Sequence, residues 1–532
     1  MLNKKLYATI KSEIFFFLLL TAVVFCLYGK SINFDFTYHD DNSLILEKTE
    51  FLSNLKNIPQ LFVTSCYYSG DFQYYRPILN LSFLLETTTF GLNTKIYHLT
   101  NIILFILALY SMYIFLLKLN ANRTILKLLI LLVSVHPILT SCVAWIPARN
   151  DTLLAIFIFL SFIFFVKYLK NNSFMNLLAY ILFWTVALFT KETALLMLFV
   201  YVMFIFCFDY KLNKKEIFKN ILIYVPIVII YFYLRNVSVQ AVGMKYYFTN
   251  MSLCLNNFIT GISTYLYKFF IPSYIPIMLY DIGLVFKNIV VDIILLIIVL
   301  FSCYKKILNI KILLFSMIWF IAGLITTFLL QDYVYLNHRL IISLFGIVLL
   351  LAHIIYKLTT KYKALTKYLL ALYIVLFFYY GFYSFNQQDK YQNKMIYFSN
   401  AYLDAPNYHG AVYWLARLHF ESGNFDKAKE LLKKTISLNN HSGNAYWENL
   451  FNTDLALIYY YEGYMDEAEE LYKKSLESGI GKAQCYRNLS TIYLKRDKDI
   501  NKAIEYAKLA VQEDPYDDGY KQYLQELQKI NK

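Results

Sequence analysis

The sequence predicts an all-α protein in which a polytopic membrane domain of about eleven spans precedes a solenoid of helical repeats. Hydrophobic residues make up 58% of the 532 residues and charged residues only 16%, which is too apolar for a soluble chain of this length. Beyond residue 383 the composition becomes polar and charged, and residues 407–518 repeat themselves. Self-similarity of this kind indicates stacked helical units.

Apolar runs long enough to cross a bilayer, roughly 17–25 residues, occur throughout the first part of the chain. They lie near residues 13–29, 97–117, 124–143, 152–168, 174–190, 192–209, 217–235, 288–304, 311–330, 339–356 and 365–383. The first run lacks a small-residue cleavage site, which predicts an uncleaved span. The segment 256–271 carries hydroxyl side chains and Lys268, which predicts an interfacial or re-entrant helix on the outer side.

Basic residues cluster in short segments between the apolar runs. The clusters are Lys118, Arg123 and Lys127; Lys167 and Lys170; Lys211, Lys214, Lys215 and Lys219; Lys305, Lys306 and Lys311; and Lys357, Lys361, Lys363 and Lys367. If the spans alternate, every cluster shares the side of the basic N-terminus, which the positive-inside rule places in the cytoplasm. The net charge of +14 is then topogenic and does not indicate a nucleic-acid partner. The loop at 30–96 and the C-terminal region are predicted to lie outside.

The C-terminal region contains three similar segments. "LARLHFESGNFDKAKELLKKTI" begins at residue 415, "LALIYYYEGYMDEAEELYKKSL" at 455 and the weaker "LSTIYLKRDKDINKAIEYAKLA" at 489. They resemble the tetratricopeptide repeat (TPR), with extra residues around 439–447 that lengthen a helix or a loop. We therefore predict a membrane domain at 1–383, a linker at 384–406 and an extracytoplasmic TPR domain at 407–532. Its concave face would hold extended peptide; the alternative is a spacer packed on the membrane domain.

Ionisable residues also occur on the predicted outer side, close to span ends. The adjacent carboxylates Asp40 and Asp41, with His39 beside them, follow the first span. The others are Arg76, His98, His136, Arg149, Asp151, Lys191, Glu192, Asp332, His338 and Arg339. Charges at membrane depth are unfavourable, so they are candidates for function. Each by itself also has a simpler explanation, a helix-end charge that reaches the interface.

The placement of arginine favours a functional explanation. Only eight of the 50 basic residues are arginines. Of the five in the membrane domain, Arg76, Arg149, Arg235 and Arg339 lie near the outer side, and only Arg123 lies in a cytoplasmic loop. Guanidinium groups bind phosphate through a planar, bidentate fork that lysine lacks. Phosphate-binding groups beside paired carboxylates indicate an enzyme that uses a lipid-phosphate donor.

The ordered motifs HDDNSLI, YRPIL, FGLNTKIYHLTNIIL, HPI, ARNDTLL, KETALL and NHRL precede the TPR segments. This order resembles the transmembrane and TPR repeat-containing O-mannosyltransferases and their bacterial relatives, which are glycosyltransferases of the GT-C fold. The resemblance covers nearly the whole chain. His39 stands where that family often has an aromatic residue, and Ala148 replaces a glycine. Seven scattered cysteines give no metal-like spacing, and the sequence leaves open whether a divalent cation takes part.

The resemblance implies transfer of a sugar from a polyprenyl-phosphate carrier to a protein Ser or Thr hydroxyl, or another hydroxyl acceptor, with inversion at the outer face. Asp40 is the first choice for the general base and Asp41 the second, because adjacent side chains of an extended loop point to opposite sides. Residues expected to bind the donor phosphate are Arg339, Arg235, Arg149, Lys191 and Arg76. Residues expected to support the site are His98, Glu192, His338 and His39.

Two other classes of protein fit the sequence less well. A lipid-linked polysaccharide ligase or polymerase also has many spans, but its large outer loop lies later in the chain. A membrane-anchored TPR scaffold without catalysis would not need the acid pair. Frequent Lys, Ile, Asn and Tyr indicate a bacterial chain, and hence the cytoplasmic membrane with a periplasmic catalytic loop. A protein of the endoplasmic reticulum would have a similar sequence pattern.

Overall fold

A computed structural model describes residues 2–67, 74–210, 222–239, 251–280, 285–329, 334–439, 445–477, 479, 481–515 and 517–531. The chain divides into two compact units, Met1–Tyr397 and Phe398–Lys532. The described part is helical apart from loops and one antiparallel pair of two-residue strands, β1 (Leu279–Tyr280) and β2 (Val334–Tyr335). The prediction of an all-α protein is confirmed.

The first unit holds the apolar helices. In chain order, the α-helices of its described residues are α1 (Leu2–Tyr28), α2 (Thr49–Leu52), α3 (Pro77–Phe90), α4 (Thr94–Lys118), α5 (Arg123–Ser134), α6 (Thr140–Ala144), α7 (Arg149–Asn171), α8 (Phe174–Thr190), α9 (Met197–Cys207), α10 (Tyr224–Ser238), α11 (Met251–Phe270), α12 (Phe286–Tyr304), α13 (Ile310–Leu324), α14 (Leu340–Lys361) and α15 (Leu365–Gln387). The boundary between the units falls within α16 (Lys394–Asp404). The predicted linker at 384–406 is therefore largely helical.

Seven helical segments of the described residues are long and apolar enough to cross a membrane. An eighth results if α5 and the bent segment that follows it form one span, and α8, α9 and α10 belong to shorter apolar helices. These helices coincide with the described parts of all eleven predicted runs. The chain is a multi-pass membrane protein, and the count of eleven spans stays a prediction.

The run at 124–143 is not one straight helix. Its two parts, Arg123–Ser134 and Pro137–Ala144, meet at an angle of 59°. Pro137 has no N–H to continue the helix and disfavours helical geometry at the residue before it. The His136 side chain instead accepts a hydrogen bond from the backbone N–H of Ile138 at 3.2 Å. The bend lies close in sequence to Trp145, which belongs to the candidate site described below.

The segment predicted to be an interfacial or re-entrant helix belongs to α11. Its polar side chains contact α12: Ser263 donates a hydrogen bond to Asp292, and Asn288 donates one to Thr264 at 3.2 Å. Pairing between the two helices thus satisfies polar groups that would be unfavourable in lipid. The position of α11 relative to the membrane stays a prediction.

An aromatic core holds the helices of the first unit together. Phe115 stacks on Phe345 with ring centroids 4.6 Å apart, and Trp319 lies 4.2 Å from the same ring. A Cβ atom on Gly346 would collide with the carbonyl oxygen of Ser316. The absence of a side chain at Gly346 therefore allows α13 and α14 to pack closely.

The second unit is built from helix pairs. Its α-helices after α16 are α17 (His409–Glu421), α18 (Phe425–Asn439), α19 (Ala445–Glu462), α20 (Met465–Glu477), α21 (Lys482–Ile492), α22 (Ile500–Glu513) and α23 (Asp518–Ile530). Gly423 and Gly463 occupy the turns of the first two pairs with φ of 78° and 89°, which favours glycine. Of the extra residues predicted around 439–447, residues 445–447 belong to α19, which has 18 residues, and residues 440–444 lie outside the described residues. The predicted helical repeats are confirmed.

Candidate active site

The loop that follows α1 is attached to the segment that follows α15. The backbone N–H of Asp35 donates to the carbonyl of Gln392 at 2.9 Å. The ammonium of Lys30 lies 2.8 Å from a carboxylate oxygen of Asp389. The start of this loop is therefore positioned by the end of the last apolar helix, more than 350 residues later in the chain.

The acid pair begins a helical turn after Tyr38, whose φ is 56°. This corrects the expectation of an extended loop. Asp41 is fully buried, and its Oδ2 accepts hydrogen bonds from the N–H and the hydroxyl of Thr37 at 2.5 and 2.8 Å. The Thr37 hydroxyl in turn accepts one from the indole N–H of Trp145 at 3.1 Å. Burial raises the pKa of Asp41 to about 6, although the hydrogen bonds from Thr37 lower it.

Asp40 has a different environment from its neighbour. Its side chain is 31% exposed, its Oδ1 lies 3.2 Å from Nδ1 of His39, and Tyr67 hydrogen-bonds to it. Burial would raise the pKa of Asp40, but the interaction with His39 outweighs burial and holds the pKa below its ordinary value. Burial likewise opposes protonation of His39, yet the charge of Asp40 raises the pKa of the imidazole. Asp40 is therefore the more accessible and more acidic carboxyl group of the pair.

Trp145 connects the acid pair to the start of α14. Its ring centroid lies 6.0 Å from that of His39 and 5.2 Å from that of His338. The Tyr397 ring stacks on that of Trp145, with centroids 6.2 Å apart, and lies tilted to that of His39 at 5.7 Å. These rings form an aromatic wall beside Asp40.

Four more predicted residues form two ion pairs near this wall, of which the Lys191–Asp151 pair is buried and the Arg76–Glu192 pair is partly exposed. Nη2 of Arg76 lies 3.1 Å from Glu192, and Nζ of Lys191 lies 2.7 Å from Asp151. Nε2 of His338 lies 3.7 Å from the second oxygen of Asp151. Glu192 and Lys191 follow the C-terminus of α8, and Asp151 belongs to the first turn of α7. Electrostatic interactions link these groups to one another and to Asp40.

Arg339 lies beside these pairs at the N-terminus of α14 and interacts electrostatically with Asp151 and Lys191. Its guanidinium forms no ion pair within the described residues, and its buried Nη1 has no hydrogen-bond partner there. Asp332, also predicted on this side, lies outside the described residues. We call the group the Asp40 cluster. Its members are His39, Asp40, Arg76, Asp151, Lys191, Glu192, His338 and Arg339.

Arg235 lies on α10, a helix that contributes no member of the Asp40 cluster. It is half-buried in the last turn of α10 and has no ion pair among the residues that the structure describes. One turn earlier, Tyr231 places its ring 5.5 Å from that of Tyr75, the neighbour of Arg76 in sequence. The helix that carries Arg235 thus packs against the segment that carries Arg76.

Arg149 lies outside the Asp40 cluster, and its charge is not available to a ligand. Its side chain is fully buried and lies 2.5 Å from Oε2 of Glu86. It donates to the amide oxygen of Asn101 at 2.8 Å and to the carbonyl of Tyr97 at 2.9 Å. His98, in the same turn of α4, is buried edge-to-face against Phe34 at 6.0 Å. The guanidinium is already engaged by groups of the protein.

Several residues that surround Asp40 were not predicted from the sequence to belong to the site. None of the four residues Thr37, Tyr67, Trp145 and Tyr397 carries a formal charge. A single tyrosine is not conspicuous in a chain with 50 of them. The position of Trp145, four residues before Arg149 in the motif that contains Pro147, was the one available signal. Among the described residues, no group of three or more His, Cys, Asp or Glu side chains could hold a metal ion.

The fold and the site together define a multi-pass membrane protein with a cluster of charged residues at helix ends, followed by a helical repeat unit. Family models of the tetratricopeptide repeat match residues 395–450 and 451–478. The chain is similar to the protein O-mannosyl-transferase Tmtc1 of Drosophila melanogaster, with 28% identity over 33% of this chain and 21% of the relative. It is also 28% identical to the protein O-mannosyl-transferase TMTC2 of Homo sapiens, over 29% of this chain and 19% of the relative.

The matched region spans about a fifth of the length of these curated relatives. The TMTC2 protein of Mus musculus matches over the same share of the chain. The family resemblance expected from the motifs is thereby confirmed.

Proposed function

We propose that this protein is a GT-C-type glycosyltransferase that moves a sugar from a polyprenyl-phosphate carrier to a hydroxyl group of a protein, with inversion. The names of its relatives support a protein acceptor. The observation that carries the proposal is the pairing of two groups in one cluster. The carboxylate of Asp40 is partly exposed, and the guanidinium of Arg339 has no carboxylate partner among the described residues.

Asp40 is the proposed general base. A hydroxyl group is a weak nucleophile, so a carboxylate that accepts its proton during attack speeds the reaction. The lowered pKa keeps Asp40 ionised at neutral pH, and its partial exposure leaves room for an acceptor. Asp41 is fully buried and holds the turn through Thr37, so we assign it a positioning role.

Arg339 and Arg235 are the proposed ligands of the donor phosphate. Negative charge grows on the phosphate as the bond to the sugar breaks, and a fixed cation stabilises that charge. Arg76 and Lys191 are largely neutralised by Glu192 and by Asp151, so their role is to hold these loops in place. His39 and His338 orient Asp40 and Asp151.

Arg149 and His98 are proposed to support the site from within. Arg149 contacts Glu86 of α3 and Asn101 of α4. Because Arg149 is the first residue of α7, these contacts fix the start of that helix and thus the position of Asp151. His98 lies beneath the loop that leads to the acid pair.

The TPR unit is proposed to hold the acceptor polypeptide on the same side of the membrane as the Asp40 cluster. Repeats of this class bind peptides along their concave face. The location proposed is the outer face of a bacterial cytoplasmic membrane. A reporter fused after residue 450 should report a periplasmic position. A cytoplasmic position would contradict the proposal that the TPR unit and the Asp40 cluster lie on the same side of the membrane.

Transfer assays in proteoliposomes test the proposed function. Wild-type protein should transfer a labelled sugar from a polyprenyl-phosphate donor to an acceptor polypeptide identified by mass spectrometry of cells with and without the gene. Asp40→Asn should lower the rate by about 10²–10⁴-fold without changing the unfolding temperature. Glu50→Gln, the matched change at an exposed carboxylate of the same loop, should leave the rate unchanged.

Two results would contradict the proposal. Full activity of Asp40→Asn would show that the base lies elsewhere. Transfer from a sugar nucleotide but not from the lipid-linked donor would reject the class of donor.

A further inference from the structure

A pocket of about 200 Å³ lies at the C-terminal end of α14, opposite the end that carries Arg339. It is lined by Lys305, Lys306, Ile307, Lys357, Thr360 and Lys361. Since α14 has 22 residues, the pocket is about 33 Å from the candidate active site at a rise of about 1.5 Å per residue. We call it the lysine pocket.

No ion pair with a described residue compensates the positive charge of the lysine pocket, which has four lysines. The sequence contains no acidic residue from Ile293 to Gln331 or from Leu340 to Gln388. Four ammonium groups around one concave surface repel one another, so an anion bound among them would be strongly favoured.

The backbone of this pocket also places a lysine in an unusual conformation. Lys306 has a φ of 53°, in the left-handed region. Its N–H donates to the carbonyl of Cys303, and the N–H of Ile307 donates to the carbonyl of Ser302 at 2.9 Å. Helix ends of this type usually have glycine in the left-handed position. This chain instead has a charged side chain at that position.

The exposed apolar surface of α12 beside the lysine pocket indicates that the anion belongs to a lipid. Leu300, Phe301 and Tyr304, in the last turns of α12, are all exposed, and Tyr304 is 78% exposed. An apolar helix face of a membrane protein is covered by acyl chains. A phosphate in the lysine pocket would therefore be next to lipid tails.

We propose that the lysine pocket binds the phosphate of an anionic phospholipid from the leaflet on its side. Topogenic lysines alone need only be numerous near a span end. They require neither a concave arrangement nor a lysine in the left-handed position. Basic pockets between membrane helices are a known means of holding phospholipid head groups.

Native mass spectrometry of the full-length protein in detergent, with added cardiolipin or phosphatidylcholine, tests the proposal. We expect wild-type protein to retain cardiolipin and to unfold at a higher temperature in its presence. Lys306→Gly removes the charge and relieves the backbone conformation, so it should fold at least as well and retain several-fold less cardiolipin. The triple variant Lys305→Gln, Lys357→Gln, Lys361→Gln should retain none.

The triple variant Lys118→Gln, Lys167→Gln, Lys170→Gln is the matched control, because it removes three neighbouring lysines that we predict at the same membrane face. It should retain cardiolipin like the wild type. An equal loss in this control, or wild-type retention in Lys306→Gly and the pocket triple variant, would overturn the proposal. Stabilisation by inorganic phosphate as large as that by cardiolipin would show a site for soluble anions and would also overturn it.

Discussion

The interior around Arg149 and the Asp40 cluster both combine arginine with carboxylate groups, yet they differ in what remains available. Around Arg149, Glu86, Asn101 and the carbonyl of Tyr97 engage the guanidinium, and its side chain is fully buried. In the Asp40 cluster, Asp40 is partly exposed and Arg339 has a buried donor without a partner among the described residues. Compensation and access, rather than residue type, therefore distinguish a charge that the protein itself engages from one that we propose acts on a substrate.

The largest expected effect comes from removing Arg149, the structural charge in this comparison. Arg149→Met leaves the carboxylate of Glu86 buried without its cation, which should lower the free energy of unfolding by about 3–5 kcal/mol. Thermal unfolding in detergent, followed by size-exclusion chromatography, measures the loss. The double variant Arg149→Met, Glu86→Gln should recover part of it, since the uncompensated charge is gone. Unchanged stability of Arg149→Met would contradict the structural role.

The next effect concerns the available arginine. Arg339→Ala should lower the transfer rate by about 10²–10³-fold, the usual result of removing one group that stabilises transition-state charge, with little change in unfolding temperature. Arg339→Lys keeps the charge but loses the fork, so its rate should be intermediate. Arg123→Lys, at an exposed arginine paired with Glu13, is the control and should retain full activity. Arg339 would have no role in phosphate binding if both of its variants transferred sugar like the wild type.

The smallest expected effect sharpens the contrast between the two adjacent carboxyl groups. The folded protein binds the proton of Asp41 more tightly than the unfolded chain does, because its pKa is raised to about 6. Asp41 therefore contributes stability at low pH that is lost as the pH rises from about 4 to about 6. Asp41→Asn should remove this loss and stabilise the protein at neutral pH by up to about 3 kcal/mol, while transfer falls only in part.

Unfolding temperatures measured across this pH range test the effect. Asp40→Asn is the matched control: the pKa of Asp40 is lowered, so the loss of its charge gives no stabilisation at neutral pH. A wild-type pH dependence in Asp41→Asn would place the titrating group elsewhere.

Part of the candidate site could be predicted because ionisable groups are rare in a membrane chain. Arg76, Lys191, Glu192, His338 and Arg339 stood out as charges close to apolar runs, and the structure brings them together. The same signal selected Arg149, which the structure places in a separate network of hydrogen bonds. No rule of local sequence could separate the two, since Glu86 and Asn101 are distant from Arg149 along the chain.

The sequence by itself determined the helical class, the apolar runs and the TPR unit, because hydrophobicity and repeat spacing are properties of short stretches of chain. Only the tertiary structure decided that the 124–143 run bends, that Asp41 is buried while Asp40 is partly exposed, and which arginines are compensated. The physical reason is distance. The interaction of two charges depends on their separation and burial, and folding sets both between residues such as Lys30 and Asp389 that lie far apart in sequence.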